Sequence, residues 1–166
     1  MSLFRAKMEI KENKRHKVFI EGEISSSFIA DSISKHSHKK AIGAHSIFLG
    51  QVRDDEINSK KVVAIDYSCY EEMANDMFHE IREAAFLRFD LTCMHIYHSL
   101  GKVDAGKISL FVFTSSKHRK NAIDACSYVV EEIKSKVPVW GKEILEDETH
   151  VWKKAAHPIS FPKGRT

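Results

Sequence analysis

Apolar residues in this chain recur with period two over short segments and with period 3.6 over two long ones, and that pattern limits the fold more than any other feature. Val18-Phe19-Ile20-Glu21-Gly22-Glu23-Ile24 reads as a strand, and Ser25-Ser26-Ser27 signals a helix start ahead of Phe28, Ile29 and Ile33. Ile42 to Leu49 reads as a buried strand running out at Gly50-Gln51-Val52-Arg53, and Val62 to Tyr67 as a β-branched one. A helix is predicted from about Glu71 to Arg88, with Met73, Met77, Ile81 and Ala84 or Ala85 facing inward. Leu91 to His98 and Lys107 to Ser115 flank a connection marked by Gly101 and Gly106, which predicts an antiparallel hairpin. A second long helix is predicted from about Lys117 to Lys136, with Ala122, Ile123, Cys126, Val129, Val130 and Ile133 as its apolar face. Pro138 ends it, because a residue before proline is pushed out of the α region. Val139 to Trp152 reads as a short strand pair or extended segment. Strands that mostly lack single regular helices between them point to an α+β fold rather than a doubly wound parallel sheet.

A length of 166 residues suits one domain. The content of 43% hydrophobic and 30% charged residues can support a core and argues against global disorder. The uninterrupted apolar runs, such as Leu110 to Phe113, are far short of the ~20 residues that span a bilayer. Met1 to Lys17 carries charges throughout and no apolar leader, so a cytoplasmic location is expected. Cys69, Cys93 and Cys126 are odd in number and widely spaced, which suggests buried thiols rather than disulfides or a structural zinc site. Residues 17–153 are expected to form the domain, with 1–16 and 154–166 fraying at its ends. The formal charge is +3, from 26 Lys plus Arg against 23 Asp plus Glu. So small a surplus suits small anions at one focused site and does not demand a nucleic acid.

Several basic residues stand at element ends. Arg53 follows a predicted strand, and His118-Arg119 opens the second long helix, where free N–H groups and the helix dipole favour an anion. Lys134 and Lys142 bracket Pro138 and Trp140. If their amines converge, each lowers the other's pKa and prepares a lysine for acid–base work; otherwise Lys134 is a helix C-terminal cation and Lys142 a solvated strand residue. His36-Ser-His38 and His95-x-x-His98 lack a recognised metal-ligand spacing, and on a strand the latter pair would point to opposite faces, so no metal is expected. Neither a G-x-G-x-x-G nor a Walker phosphate loop occurs.

Five strings carry a resemblance. They are Phe48-x-Gly50-x-Val52-Arg53, Tyr67-x-x-Tyr70-Glu71-x-Met73-Ala74, His98-x-x-Gly101-x-Val103-x-x-Gly106, Ser116-x-His118-Arg119 and Lys134-x-x-x-Pro138-x-Trp140-x-Lys142-Glu143. In this order and spacing the chain resembles the large, catalytic subunit of molybdopterin synthase from about residue 42 to residue 152. The resemblance implies an α/β hammerhead with an added β-rich subdomain. It also implies a sulfurtransferase that converts cyclic pyranopterin monophosphate (precursor Z) into the molybdopterin dithiolene, with no metal or organic cofactor of its own. The sulfur donor it implies is the Gly-Gly thiocarboxylate tail of a small ubiquitin-like carrier, within a heterotetramer built on a homodimer of the large subunit. Gln51, Val52 and Arg53 would line the substrate pocket over Phe48, and His118 and Arg119 would reach in from the neighbouring protomer. Lys134 would carry the catalytic proton or stabilise charge, and Lys142 and Glu143 would complete the set beside Pro138 and Trp140.

Two departures stand out. The family usually has a lysine directly after the tryptophan, where this chain has Gly141, and Lys142 is the expected substitute. The family's His-Arg-x-Gly is here His98-Ser99-Leu100-Gly101. The competing readings are a non-catalytic relative that still binds the carrier or a pterin phosphate, and a small RNA-binding module. The latter would need interleaved basic and aromatic residues on a sheet face, which Ile108 to Phe113 does not offer.

Overall fold

The computed structural model describes residues 17–153; the two expected fraying ends lie outside the described residues. In chain order the elements are β1 (Phe19–Glu21), α1 (Ser26–Ser34), β2 (Ala44–Gln51), β3 (Glu56–Ile57), β4 (Lys60–Cys69), α2 (Glu71–Arg88), β5 (Cys93–Asp104), β6 (Ile108–Ser116), α3 (Arg119–Lys136), β7 (Val139–Leu145) and β8 (His150–Trp152). The sheet order is β2-β6-β5-β4-β7-β8, with β1 parallel to β5 and β3 forming a short ladder with β4. Apart from β1, the pairs are antiparallel, which gives the α+β class expected from the pattern.

β5 belongs to two sheets at once. Its first half, Cys93 to His98, pairs with β6, and its second half, Gly101 to Asp104, pairs with β4. Gly101 sits between them at φ +76°, a left-handed conformation that L side chains adopt only at a cost, and an added Cβ would collide with Oε1 of Glu21. The segment between the glycines is therefore strand as far as Asp104, and the turn itself is only Ala105-Gly106-Lys107. The glycine that reads as a loop marker in the sequence is a bend inside a continuous strand.

Three cores follow from this layout. The largest lies between one face of the first sheet and α2 plus α3, where Phe78, Ile81, Met94, Ile96, Val112 and Val129 meet. Ile24, Phe111 and Phe113 form a second on the other face, under Phe28 and Ile29 of α1. Val52, Val62, Ile65, Val103 and Leu145 form a third within the second sheet, the β-rich part of the hammerhead. The buried stripe of α2 is Ala74, Phe78, Ile81 and Ala85, rotated from the expected one, and Met73 is exposed. Ile123 is likewise exposed on α3, where Ala125 takes the inward place. In both helices the small residue sits where backbones approach closely, and the bulkier neighbour is turned out. Ser25 caps α1 by accepting the Phe28 N–H at 3.2 Å, as the serine signal predicts. α3 stops at Lys136, and Val137 stands in extended conformation before Pro138.

Replacing Gly101 with alanine forces a side chain into the left-handed region at the point where the two sheets join. Urea unfolding is expected to show a loss of about 1–2 kcal/mol, whereas Ile123→Ala on the exposed face of α3 should stay within about 0.5 kcal/mol.

Candidate active site

The end of β2 with the residues just past it, the last turn of α3, strands β4 and β7, and Lys153 just after β8 line a cavity of about 260 Å³. Phe48, Gln51, Arg53, Lys134, Glu143 and Lys153 are among its lining residues. Each is delivered by a different piece of local structure. Arg53 lies just past the end of β2 and pairs with Asp55 at 2.8 Å in an exposed ion pair, which costs little to break when an anion competes for the guanidinium. Lys134 is in the last turn of α3, where a cation suits the helix dipole. Glu143 is buried on β7.

Gly141 and Lys153 are linked. The Lys153 N–H donates to the Gly141 carbonyl at 2.8 Å, so Lys153 follows β8 directly opposite the glycine. A Cβ at residue 141 would stand 3.7 Å from the Lys153 Cβ and 3.0 Å from Cγ2 of Ile65. The missing side chain thus leaves room beside the stem of a lysine from the next strand. Lys134 is exposed as a residue, yet protein atoms crowd its amine enough that desolvation lowers its pKa, and the charge of Lys153 lowers it further.

A buried aromatic layer supports this end of the molecule. His98 is 5% exposed, donates from Nδ1 to the Ser99 carbonyl at 2.8 Å and meets the Tyr67 ring edge-on at 5.3 Å. Tyr67 in turn donates its hydroxyl proton to Ser109 at 3.2 Å. Desolvation drives the His98 pKa down to about 4, and the nearby charge of Lys134 acts in the same direction. His98 is therefore a neutral ring wedged under the lysine. Ser99 is fully buried opposite Ile20 of β1, outside the cavity lining, and its hydroxyl has no partner.

The structure brings together Phe48, Gln51, Arg53, Lys134 and Glu143, but not every residue expected at the site. Val52 points the other way, into the third core. Lys142 shares a face with its ladder partners Asp66 and Trp152, and its amine lies over the Trp152 ring at 5.9 Å. Strand alternation explains this: Gly141 and Glu143 face the cavity, so Lys142 faces away. Trp140 is exposed and packs edge-on against Tyr70, and Pro138 is half-buried at the helix end. His118 and Arg119 stand exposed at the opposite end of α3 from Lys134, about 22 Å away at 1.5 Å per residue, beyond the reach of this cavity. Lys153 is the residue that sequence reasoning missed. The only signal for it is a lysine following the short apolar pair Val151-Trp152, and its meaning depends on the β7–β8 register. A second, larger cavity of about 740 Å³ lies among β1, α1, α2 and β5 and contains none of the expected site residues.

A lysine of lowered pKa, a second amine, a guanidinium and a buried carboxylate thus line one cavity of a small α+β domain, a set of groups that suits anionic ligands. The chain belongs to the MoaE protein family, whose sequence profile matches residues 23–136. It is 39% identical over 110 residues to the molybdopterin synthase catalytic subunit of Pyrococcus abyssi, an overlap of 66% of this chain and 73% of that one. The catalytic subunit from Bacillus subtilis is 33% identical over 135 residues, covering 81% and 85%. The crystal structure of molybdopterin synthase from Staphylococcus aureus superposes with a TM-score of 0.73 at 27% identity, over 86% of this chain and 99% of that one. The fold also matches, at TM-score 0.71 and 23% identity, a chain from a complex of subunits 1 and 2 of the molybdopterin-converting factor of Helicobacter pylori.

His98 couples the site to stability. Its folded pKa of about 4 lies below the ordinary 6.5, so the unfolded chain takes up the proton first as pH falls. The stability due to the neutral ring is present above about pH 6.5 and is lost progressively toward pH 4, a total of roughly 3 kcal/mol. Denaturant unfolding across this range should show that loss, and His98→Gln should flatten the profile between pH 6.5 and 4.

Proposed function

We propose that this chain is the catalytic subunit of a molybdopterin synthase, transferring sulfur from the C-terminal thiocarboxylate of a small ubiquitin-like carrier to cyclic pyranopterin monophosphate and so forming the dithiolene. The observation that carries the reading is the pairing of Lys134 with Lys153 in one cavity with Arg53. An amine whose pKa is lowered by desolvation and a neighbouring charge gives up and recovers a proton more readily than a solvated lysine does. In this reading Arg53 leaves Asp55 for the cyclic phosphate, to which a guanidinium can bond in bidentate fashion. Lys134 serves the proton steps as sulfur adds to the pterin side chain, and Glu143 lines the same cavity. Lys153, rather than Lys142, takes the place of the amine that Gly141 cannot supply. The non-catalytic alternative rested on that glycine and loses its motive once a second amine stands beside it. Among the described residues no helix is long and apolar enough to cross a membrane.

The reading also calls for a second copy of the chain. β2 ends the sheet on one side and exposes Ile47 and Leu49. Its start is tied to the strand leading into α3 by the Gly43 N–H bond to the Ser116 carbonyl, 3.0 Å, and its other end delivers Gln51 and Arg53 to the cavity. A two-fold axis near the middle of β2 exchanges those ends, carrying His118 and Arg119 of one copy toward the Arg53 of the other. One carrier on the outer side of each protomer completes the heterotetramer.

Reconstitution with thiocarboxylated carrier and precursor Z, with the dithiolene product read by mass spectrometry, tests the lysine assignments. Lys134→Ala should lower turnover at least ~100-fold and Lys153→Ala ~10–100-fold, while Lys142→Ala stays within ~2-fold. Adding Gly141→Lys to Lys153→Ala should restore much of the activity, since Ile65 needs to give way by only a few tenths of an ångström. Full activity in Lys153→Ala together with a large loss in Lys142→Ala would reverse the assignment. The shared site has its own check. Mixing inactive Lys134→Ala with inactive Arg119→Ala and allowing subunits to exchange should recover about a quarter of wild-type activity, because half the dimers are mixed and each holds one intact site.

A further inference from the structure

On the face of the sheet away from Lys134 lies a second cluster with chemistry the sulfur-transfer reading does not use. Along β5 the residues alternate: Met94 and Ile96 face α2 and α3, whereas Cys93 and His95 face the side covered by α1. His36 follows α1 in the turn after its last residue and returns to the sheet, where its ring is buried edge-on against Phe113 at 4.9 Å. Its Nε2 stands 3.0 Å from Nε2 of His95, and the Sγ of Cys93 lies within 4.8 Å of both nitrogens.

We propose that His36, Cys93 and His95 form a binding site for one divalent cation of the zinc class, held by two imidazoles and a thiolate. Nitrogens bound to a tetrahedral Zn²⁺ at about 2.0–2.1 Å stand about 3.3 Å apart, so the imidazole pair already has nearly the required separation. The tautomer of His36 is fixed for the task. Its Nδ1–H donates to the Ser32 carbonyl at 2.7 Å, which leaves a lone pair on Nε2 and supplies the outer-shell bond that metal-bound histidines usually make. His95 is only half-buried and lines the 740 Å³ cavity, which gives the ion a route in and leaves a fourth coordination position open to water. The donor set of two borderline nitrogens and one soft sulfur suits Zn²⁺ and excludes Mg²⁺ or Ca²⁺.

The site draws one histidine from each of the two pairs visible in the sequence, so neither His36-Ser-His38 nor His95-x-x-His98 acts as a pair. Within β5, His95 and His98 face opposite sides as their spacing requires. The ion would tie the end of α1 to the middle of the sheet across a sequence separation of 59 residues. Binding expels the thiol proton of Cys93. Without an ion, the same atoms make a neutral hydrogen bond from His95 Nε2–H to His36 Nε2, and this is the alternative that the experiment separates.

The test uses the full chain, freed of metal by chelation and then titrated with Zn²⁺ and, in parallel, Co²⁺. One equivalent of Zn²⁺ should remain after dialysis, and saturating ion should raise Tm by roughly 5–10 °C at a hundredfold excess over Kd. Co²⁺ should give tetrahedral d–d bands and a thiolate charge-transfer band. Cys93→Ser, nearly isosteric, should lose that band and weaken binding at least ~10–100-fold, and His36→Gln should weaken it similarly, while His38→Ala changes neither. Circular dichroism on each variant shows that it folds. A wild-type chain that retains no ion and shows no charge-transfer band, or a Cys93→Ser variant that binds as tightly as wild type, overturns the proposal.

Discussion

Gly101 is the point on which the arrangement depends. The left-handed backbone at this residue lets β5 leave the ladder with β6 and join β4 without a break in the strand. One continuous strand thereby holds the helix-covered sheet and the β-rich sheet in a fixed relation. The cavity lies across that junction, between β2 and the last turn of α3 from one body and β4, β7 and Lys153 from the other. A loop at this place would let the halves shift, and catalytic groups lose rate quickly when misplaced by even an ångström. The buried His98–Tyr67 contact beside the bend reinforces the same joint from within.

The electrostatics of the site follow from burial more than from net charge. The whole-chain surplus of +3 is small. What distinguishes the cavity is that two amines share it, with the buried Glu143 also lining it and Arg53 on a loosely held exposed pairing. Desolvation and the Lys153 charge both push Lys134 toward its neutral form, whereas a solvated helix-end lysine would stay fully protonated. Position in the last turn of α3 satisfies the helix dipole and brings the amine to the cavity at the same time.

Chemistry is divided between the faces of the first sheet. Toward α2 and α3 the side chains are apolar and end at His98 under the lysine; toward α1 they are aromatic and include the imidazole and thiol cluster. This division comes from the two-residue period of β5, which sends His95 and His98 to opposite sides although they are three positions apart.

The sequence by itself determined the order of the elements apart from the two-residue β3, the span of α2 to the residue, the stop of α3 before Pro138, the serine cap of α1, and the motifs that place the chain in its family. These are local properties: hydrophobic period, capping chemistry and proline sterics act within a few residues, and family motifs are strings. It misjudged the α2 stripe by one position because Ala74 and Phe78 satisfy the 3.6 period as well as Met73 and Met77 do, and only the packed sheet selects between them. It could not reveal that Lys153 stands against Gly141, that Lys142 turns away, or that His36 meets His95. Those depend on the register of β7 with β8 and on the path of the chain from α1 back to β5. Register is a non-local quantity: a slip of one residue reverses every side chain on a strand. Only the tertiary structure decided which lysine reaches the cavity.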